Sequence, residues 1–502
     1  TDETVEDRGP VEQLRGMTNE RSTDAEQALR EYAERLGTAS PGSLDLSKIE
    51  DEVRGLLEAR GRELMAQALR RADANAPEIT IDGARWGNRR IQRGEYQTVF
   101  GVVPLDRSVY QQAGRGPVAV PLELRLGIVE RRYTPKMARI LTRALAMTTE
   151  QEAAAFLEEI GTAVVSSSTL SRVPRAIAAR YETRRDIVEA SLREQDVVPD
   201  DATTIQVALD GVMVPQDGEH ARPRGRKSDS PEPPRHELRY GAVGNDAPAD
   251  TDGHLGRAWH EASVGTLAYF DASGNRLKTV YLGRMPEPHK ATLVEQLTAE
   301  LAMAMSARPS LNVVFASDGA PGQWASLDAM AAACTRECTG DVVKLVDAFH
   351  VAEYIQKAAE AIEGAETSGA SILAATWRET VKEQVGGVTT VLRSMRARRC
   401  SVPTKHRRKE LDTAIAYIAG QHEMGRMDYP QAIARKFPIG TGITEAAAKT
   451  VVGTRMKRAG ARFSQHGGQT IMLFRTALLS KRFDALHAEL WSTYTATVNS
   501  AA

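Results

Sequence analysis

Ile205-Gln206-Val207-Ala208-Leu209-Asp210-Gly211-Val212-Met213-Val214 and Leu311-Asn312-Val313-Val314-Phe315-Ala316-Ser317-Asp318-Gly319 each run apolar into an aspartate that is followed by glycine. A short, nearly continuous apolar run suits a strand covered on both faces. An acid does not belong inside such a strand, because burying an unpaired carboxylate is expensive. It belongs at an edge, where it can bind something cationic.

Working outward from these two runs, the pattern from Thr204 reads βββαβαβ. Two further strands fall near Val264–Phe270 and Leu277–Leu282, joined by the turn Asp271-Ala272-Ser273-Gly274-Asn275. A Pro/Arg/Ser-rich loop is expected from about Gln216 to Arg239. Helices are expected over Glu287–Ala307 and Trp324–Arg336, with a strand at Val342–Asp347 between the second helix and a long helical stretch, Val351 to about Met424. The block from Thr444 to about Leu490 also reads as helix.

On the N-terminal side, residues 10–75 carry apolar positions at helical spacing, and residues 89–110 alternate as a small β-hairpin unit. Helices return from about Pro135 to Gln195. Within them, Thr149–Gly161 is an amphipathic helix closed by glycine, and a second helix opens at Ser166-Ser167-Ser168-Thr169-Leu170-Ser171-Arg172. Helix, glycine turn and a Ser/Thr/Arg-rich start outline a helix-turn-helix, in which Ser168, Thr169 and Arg172 would face DNA. Ser and Thr are also good N-caps, so a structural helical hairpin is the competing reading.

The 502 residues carry 65 Lys+Arg and 66 Asp+Glu, a net charge of −1, with 42% hydrophobic and 26% charged residues. This composition is globular and excludes wholesale disorder. No apolar run is long enough for a membrane span, Thr1–Pro10 lacks the apolar core of a secretory signal, and three cysteines cannot form a disulfide framework. Cys334-x3-Cys338 also lacks the second pair of a zinc site. A reducing cytoplasm is the expected compartment.

The near-zero charge conceals an asymmetry. Residues 1–60 hold 15 acids against 8 bases, whereas residues 393–409 hold eight bases and no acid. Residues 433–482 hold ten bases and one acid, Glu445. Charge runs are usually solvated faces, but a basic field of this size suits a surface that neutralises phosphates. Singly, Asp210 and Asp318 could be turn aspartates and Glu445 an acid at a helix start. Together, as strand, strand and helix, they make a set of hard oxygens suited to Mg²⁺. Two such ions can support phosphodiester displacement.

The order and motifs resemble the DDE transposases of bacterial insertion sequences, the ISKra-type group. The matching pieces are Ala208–Val212, Ser317–Ala320 and Leu345-Val346-Asp347-Ala348-Phe349-His350-Val351-Ala352-Glu353. Most specific is Pro438 through Gly440-Thr441-Gly442-Ile443-Thr444-Glu445-Ala446. It continues as Arg455-Met456-Lys457-Arg458-Ala459-Gly460-Ala461-Arg462-Phe463-Ser464 and then Gly467-Gly468. The resemblance spans roughly residues 80–485. The family's cysteine pair has no counterpart near Tyr110–Ala113.

The resemblance implies an α/β ribonuclease-H-like catalytic domain in which Asp210, Asp318 and Glu445 are the catalytic and metal-binding acids, holding two Mg²⁺, with Mn²⁺ as an alternative. The 127 residues between Asp318 and Glu445 exceed the bare fold, so a helical insertion is expected. Five regions follow: an N-terminal helical region (1–80), a hairpin and helix-turn-helix-like DNA-binding region (81–200), the first part of the catalytic core (201–350), the insertion (351–435), and the second part with C-terminal helices (436–502). DNA backbone contacts are expected from Arg396, Arg398, Arg399, Lys405, Arg407 and Arg408 in the insertion, and from Lys449, Arg455, Lys457, Arg458 and Arg462 beyond Glu445. His350 most simply caps or packs. Trp324 most simply packs in the core, with stacking on an unpaired base as the second reading.

The implied activity is metal-dependent cleavage at the ends of an insertion sequence and joining of the freed 3′-OH to target DNA. Its partners are terminal inverted repeats and target DNA, it works as a homodimer or higher oligomer without a membrane, and it sits in the bacterial cytoplasm at the nucleoid. A transposase-derived DNA-binding protein and a structure-selective nuclease are the alternatives.

Overall fold

Two five-stranded sheets organise this computed structural model, which describes residues 24–113, 115–161, 165–216, 258–458 and 461–500. The acidic start of the chain, the turn residues 162–164 and nearly all of the expected Gln216–Arg239 loop lie outside the described residues. The chain divides into one unit comprising Thr1–Arg180 with His487–Ala502 and another comprising Tyr181–Leu486.

In the first unit, helices α1 (Asp24–Thr38) and α2 (Leu46–Ala72) precede strands β1 (Ile79–Ile81), β2 (Ala84–Thr98), β3 (Gly101–Ala113) and β4 (Arg115–Ala119). The expected hairpin is β2–β3, turned at Val99-Phe100 and paired from Thr98↔Gly101 outward. The C-terminal segment Val498–Ser500 pairs antiparallel with β1 and completes the sheet. Leu69 of α2 packs with Tyr96, Val103 and Leu105 as a core on this sheet. Helices α3 (Pro121–Leu126), α4 (Pro135–Met147) and α5 (Glu150–Glu159) follow. Thr149 and Glu152 close a capping box at the start of α5, and Gly161 takes a positive φ of 67° after its end. Helix α6 is Ser167–Thr183.

In the second unit, α7 (Arg185–Glu194) leads to β5 (Thr204–Gln216), β6 (Ala258–Phe270), β7 (Arg276–Arg284), α8 (Ala291–Ala307), β8 (Asn312–Ser317), α9 (Pro321–Glu337) and β9 (Val342–Val346). The βββαβαβ order expected from Thr204 is present. The sheet order is β7-β6-β5-β8-β9, antiparallel among the first three and parallel among the last three. Strand β5 is central, and Ile205, Val207, Ala208 and Leu209 are all buried, which is why its sequence reads as an unbroken apolar run. Between β9 and Glu445 the chain is helical: α10 (Ala348–Glu363), α11 (Ser368–Glu383), α12 (Gly387–Arg398), α13 (Lys405–Glu423) and α14 (Tyr429–Ala434). Their apolar faces share one core with the sheet, through Val351, Ile355, Trp377, Leu411 and Ile418.

The helical block expected over Thr444–Leu490 is built of several pieces. Helix α15 (Gly442–Ala447) widens into a π-helical turn, Ala448–Gly453, and one α turn, α16 (Thr454–Met456), follows. The chain then leaves the helix so that Phe463 can bridge to Gln216 at the end of β5. Ser464 caps a new helix, α17 (Gln465–Leu479), by accepting from Gly467 N at 3.1 Å.

Candidate active site

The two Asp-Gly pairs of the sequence acquire separate physical reasons. Asp210 lies in β5 opposite Val264, half-buried, and its Oδ1 accepts from Gly211 N at 2.7 Å. A Cβ on Gly211 would stand 1.7 Å from Glu261 Oε1, so glycine is what admits Glu261 of β6 at this point. Asp318 immediately follows β8, and its Oδ1 accepts from Ala320 N at 2.9 Å. Gly319 turns the chain with φ +99°, a region that favours glycine, and Tyr417 Oη of α13 donates to the Asp318 carbonyl at 2.7 Å.

Glu445 is exposed on α15, whose start is set by Thr441: the Thr441 carbonyl accepts from Thr444 N at 2.8 Å and Glu445 N at 3.0 Å. Thr444 is buried and shares a 2.6 Å hydrogen bond with Thr266 of β6, fixing this helix over the sheet.

The structure brings these three acids into one electrostatic neighbourhood. Burial, together with the negative charges of Asp318 and Glu445, pushes the Asp210 carboxyl up to about 6, while its Gly211 hydrogen bond and Lys290 pull the other way. Lys290 is itself held by Glu261 at 2.8 Å, and it follows His289 in a rare pair of positive φ values, 55° and 54°. That pair breaks the helix expected from Glu287 and delays α8 to Ala291.

Among the described residues, no three His, Cys, Asp or Glu side chains stand close enough to hold a metal ion as they are placed. The donor set nevertheless fits a hard divalent cation. It consists of carboxylates that repel one another, with Asp210 partly desolvated.

Sequence reasoning missed several supporting residues. Gln323, buried on α9, satisfies its surroundings with the amide nitrogen inward, donating to Asp318 Oδ1 at 3.2 Å and the Leu209 carbonyl at 3.0 Å. It thereby ties the first two acid-bearing segments together. Gln206 donates to the Gly440 carbonyl at 3.0 Å and ties β5 to the loop before Glu445. Neither glutamine has a sequence signal beyond being polar beside an apolar run. Lys290 and Tyr417 are likewise legible only in three dimensions.

Of the two readings of Trp324, core packing holds: it is 1% exposed, and the Arg426 guanidinium carbon lies 4.0 Å from its ring centroid, which leaves no face for a base. Other expectations need correction. Arg407 reaches the carbonyls of Glu360, Ala361 and Ile362 at the end of α10, a C-capping role that uses its donors within the protein. Arg455 is 3% exposed with its guanidinium near the Phe463 ring, and so does not present a free face to a phosphate. Arg399 forms a two-pronged pair with Asp412 at 2.5 and 2.8 Å, and Arg408 donates to the Val402 carbonyl at 2.9 Å.

Arg396, Arg398, Lys405, Lys449, Lys457, Arg458 and Arg462 are exposed. In the first unit Ser168 and Arg172 are exposed and Thr169 half-exposed. Ser166 Oγ accepts from Thr169 N at 3.3 Å at the helix start, as the capping alternative requires. The Ser168 and Thr169 hydroxyls lie 2.8 and 3.1 Å from the same oxygen, and Arg172 reaches Tyr133 Oη at 3.3 Å. Cys334 is buried, whereas Cys400 is exposed rather than packed. No helix among the described residues is long and apolar enough to cross a membrane.

No family model and no curated protein matches the chain. Among solved structures, it is similar to a Drosophila P element transposase strand transfer complex, at 12% identity over 72% of this chain and 84% of the other, with a TM-score of 0.26. It is also similar to a pre-cleavage Mos1 transpososome, at 10% identity over 71% and 79%, with a TM-score of 0.12. At these scores the likeness assigns neither fold nor function to this chain.

Proposed function

We propose that the chain is a DNA transposase of the DDE type, with a ribonuclease-H-like core that cuts at the ends of an insertion sequence and joins the 3′-OH ends to target DNA. The observation that carries this reading is the mutual charge of Asp210, Asp318 and Glu445, three carboxylates delivered by two parallel neighbouring strands and a later helix. The sheet order, with three antiparallel strands continued by two parallel ones, supports the ribonuclease-H-like assignment.

Asp210, Asp318 and Glu445 would hold two Mg²⁺ or Mn²⁺ ions. When bound, such ions supply Lewis-acid stabilisation and an activated oxygen nucleophile for displacement at phosphorus. The chain's own residues do the rest. Gln323 and the turn at Gly319 fix the Asp318 carboxylate relative to β5. Lys290, pinned by Glu261 beside Asp210, offers a positive charge to the phosphate oxygens.

The exposed cations Arg396, Arg398, Lys405, Lys449, Lys457, Arg458 and Arg462 hold the DNA backbone, and Ser168, Thr169 and Arg172 contribute from the first unit. Joining two ends requires two active sites, hence a dimer or larger assembly acting on nucleoid DNA.

The test is a strand-transfer assay with Mg²⁺ and DNA ending in the element's inverted repeats, comparing wild type with Glu445→Gln. Joined products that disappear in the variant, with end binding retained, are expected. Cleavage without joining would make the protein a structure-selective nuclease. Binding with no chemistry under Mg²⁺ or Mn²⁺ would leave a DNA-binding protein.

A further inference from the structure

Asp347 immediately follows β9 and has no exposed surface, yet it lies outside the three acids assigned to the reaction. A buried carboxylate is tolerated only when its oxygens are well supplied with donors. Its Oδ1 accepts from Phe349 N at 2.5 Å and His350 N at 3.1 Å, which caps α10. Capping needs one oxygen, and a serine or threonine would serve. The second oxygen does something else. Asp347 Oδ2 accepts from Thr441 N at 2.5 Å, with the Thr441 hydroxyl lying against the same oxygen.

Held by its N–H on Asp347, the buried Thr441 keeps its hydroxyl between two carboxylates. Because Asp347 Oδ2 already has the N–H, the single hydroxyl proton goes to Glu445 Oε1 at 3.1 Å. The Thr441 carbonyl also receives Glu445 N. Both the backbone and the carboxylate of Glu445 are thus referenced to Thr441, and Thr441 to the end of β9. At that same end Asp347 N donates to the Ser317 carbonyl at 2.9 Å, next to Asp318.

We propose that Asp347 is a positioning residue that acts through Thr441, whose N–H it holds and whose hydroxyl meets Glu445, to orient the Glu445 carboxylate for a divalent cation that Asp210, Asp318 and Glu445 would hold. The inference rests on the metal-dependent reading above. Asp347 does not itself touch the ion. It holds Glu445 in register with the acids on β5 and after β8, a distance that the long helical insertion would otherwise leave loosely set.

The experiment measures Mn²⁺ binding to the full chain by electron paramagnetic resonance, with urea unfolding in EDTA alongside. It compares wild type, Glu445→Gln, Thr441→Val, Thr441→Ser and Asp347→Asn. Loss of an outer hydrogen-bonding partner lowers metal affinity by about 10–100-fold. Thr441→Val and Asp347→Asn are expected to weaken Mn²⁺ binding by at least about tenfold. Thr441→Ser, which restores the hydroxyl, is expected to stay within about twofold of wild type, with the Thr441→Val unfolding midpoint nearly unchanged. Should Asp347→Asn not fold, the Thr441 pair decides.

Wild-type affinity in Thr441→Val, with Glu445→Gln impaired, would overturn the positioning role alone. Equal loss in Thr441→Ser and Thr441→Val would overturn it too, since the hydroxyl would not be the agent. Equal binding, or none, in wild type and Glu445→Gln would remove the metal site and this inference with it.

Discussion

A carboxyl group with its titration displaced from 3.8 to about 6 carries a folding cost whenever it is ionised. For Asp210 the sign is fixed by the direction of the shift. The native state binds the proton more tightly than the unfolded chain, so the contribution to stability is fully present below the unfolded pKa and is lost as pH rises through about 6. At about 1.4 kcal/mol per unit, the displacement is worth up to ~3 kcal/mol at pH 8 in the absence of a cation. Asp210→Asn in EDTA is therefore expected to gain stability over wild type at pH 8 and to gain nothing at pH 4. Urea midpoints at the two pH values check this, and a gain of equal size at both would show that the charge is not responsible. On the proposed metal-dependent reading, the same variant is expected to be inactive in strand transfer, because it removes one of the three carboxylates that would hold the cations.

At the scale of elements, charge runs and helix starts have structural roles that compete with recognition. Arg407 closes the end of α10 with three carbonyl contacts, whereas Arg396 and Lys405, in the same basic stretch, are exposed. Arg407→Ala is expected to cost about 1–3 kcal/mol of stability while leaving the salt dependence of DNA binding unaltered. Arg396→Glu with Lys405→Glu is expected to leave stability within about 0.5 kcal/mol and to flatten the plot of log affinity against log salt. Unfolding curves and salt titrations on the same proteins separate the two roles, and a reversed pattern would move the DNA surface elsewhere. The start of α8 holds a second such device. His289 is exposed and adopts φ 55° ahead of Lys290 at φ 54°, a conformation that costs a non-glycine residue about 1–2 kcal/mol. His289→Gly should recover part of that, roughly 0.5–1 kcal/mol in the urea midpoint, because the conformation suits glycine. An unchanged or lower midpoint would mean that the His289 side chain contributes more than the strain removes.

Across the whole chain, what could be read from the sequence is what local chemistry encodes. Strands β5 and β8 announce themselves because both faces are covered. Asp318 stands out because a charge ends its apolar run, and Asp210 because a charge interrupts one, in mid-strand rather than at the strand end that the sequence suggests. The widening after Ala447 is hidden, because a single π-helical turn shifts the helical residue pattern too little to be read in sequence. Arg455 looks accessible until Phe463 is placed beside it. The pairing of β1 with Val498–Ser500 is three residues long and joins segments far apart in the sequence, so no short window contains it. The same holds for Arg482, which follows α17. It donates to Glu300 of α8 at 2.6 and 2.8 Å and to Asp196, beyond α7, at 2.8 Å. Its side chain is 12% exposed and that of Glu300 8%, and the two acids hold its charge firmly, raising its pKa against the effect of burial. Three distant segments of the second unit thus meet at one guanidinium. Removing it would leave two carboxylates near each other with little water, so Arg482→Met is expected to destabilise by about 3–5 kcal/mol. Adding Glu300→Leu and Asp196→Leu is expected to restore most of that loss, since well-packed apolar groups often replace a buried ion cluster at little cost. Urea unfolding of the single and triple variants tests both statements. A small effect of Arg482→Met would show that water reaches the cluster, and failure of the triple variant to recover would show that Lys278, which also pairs with Asp196, needs that acid as much as Arg482 does.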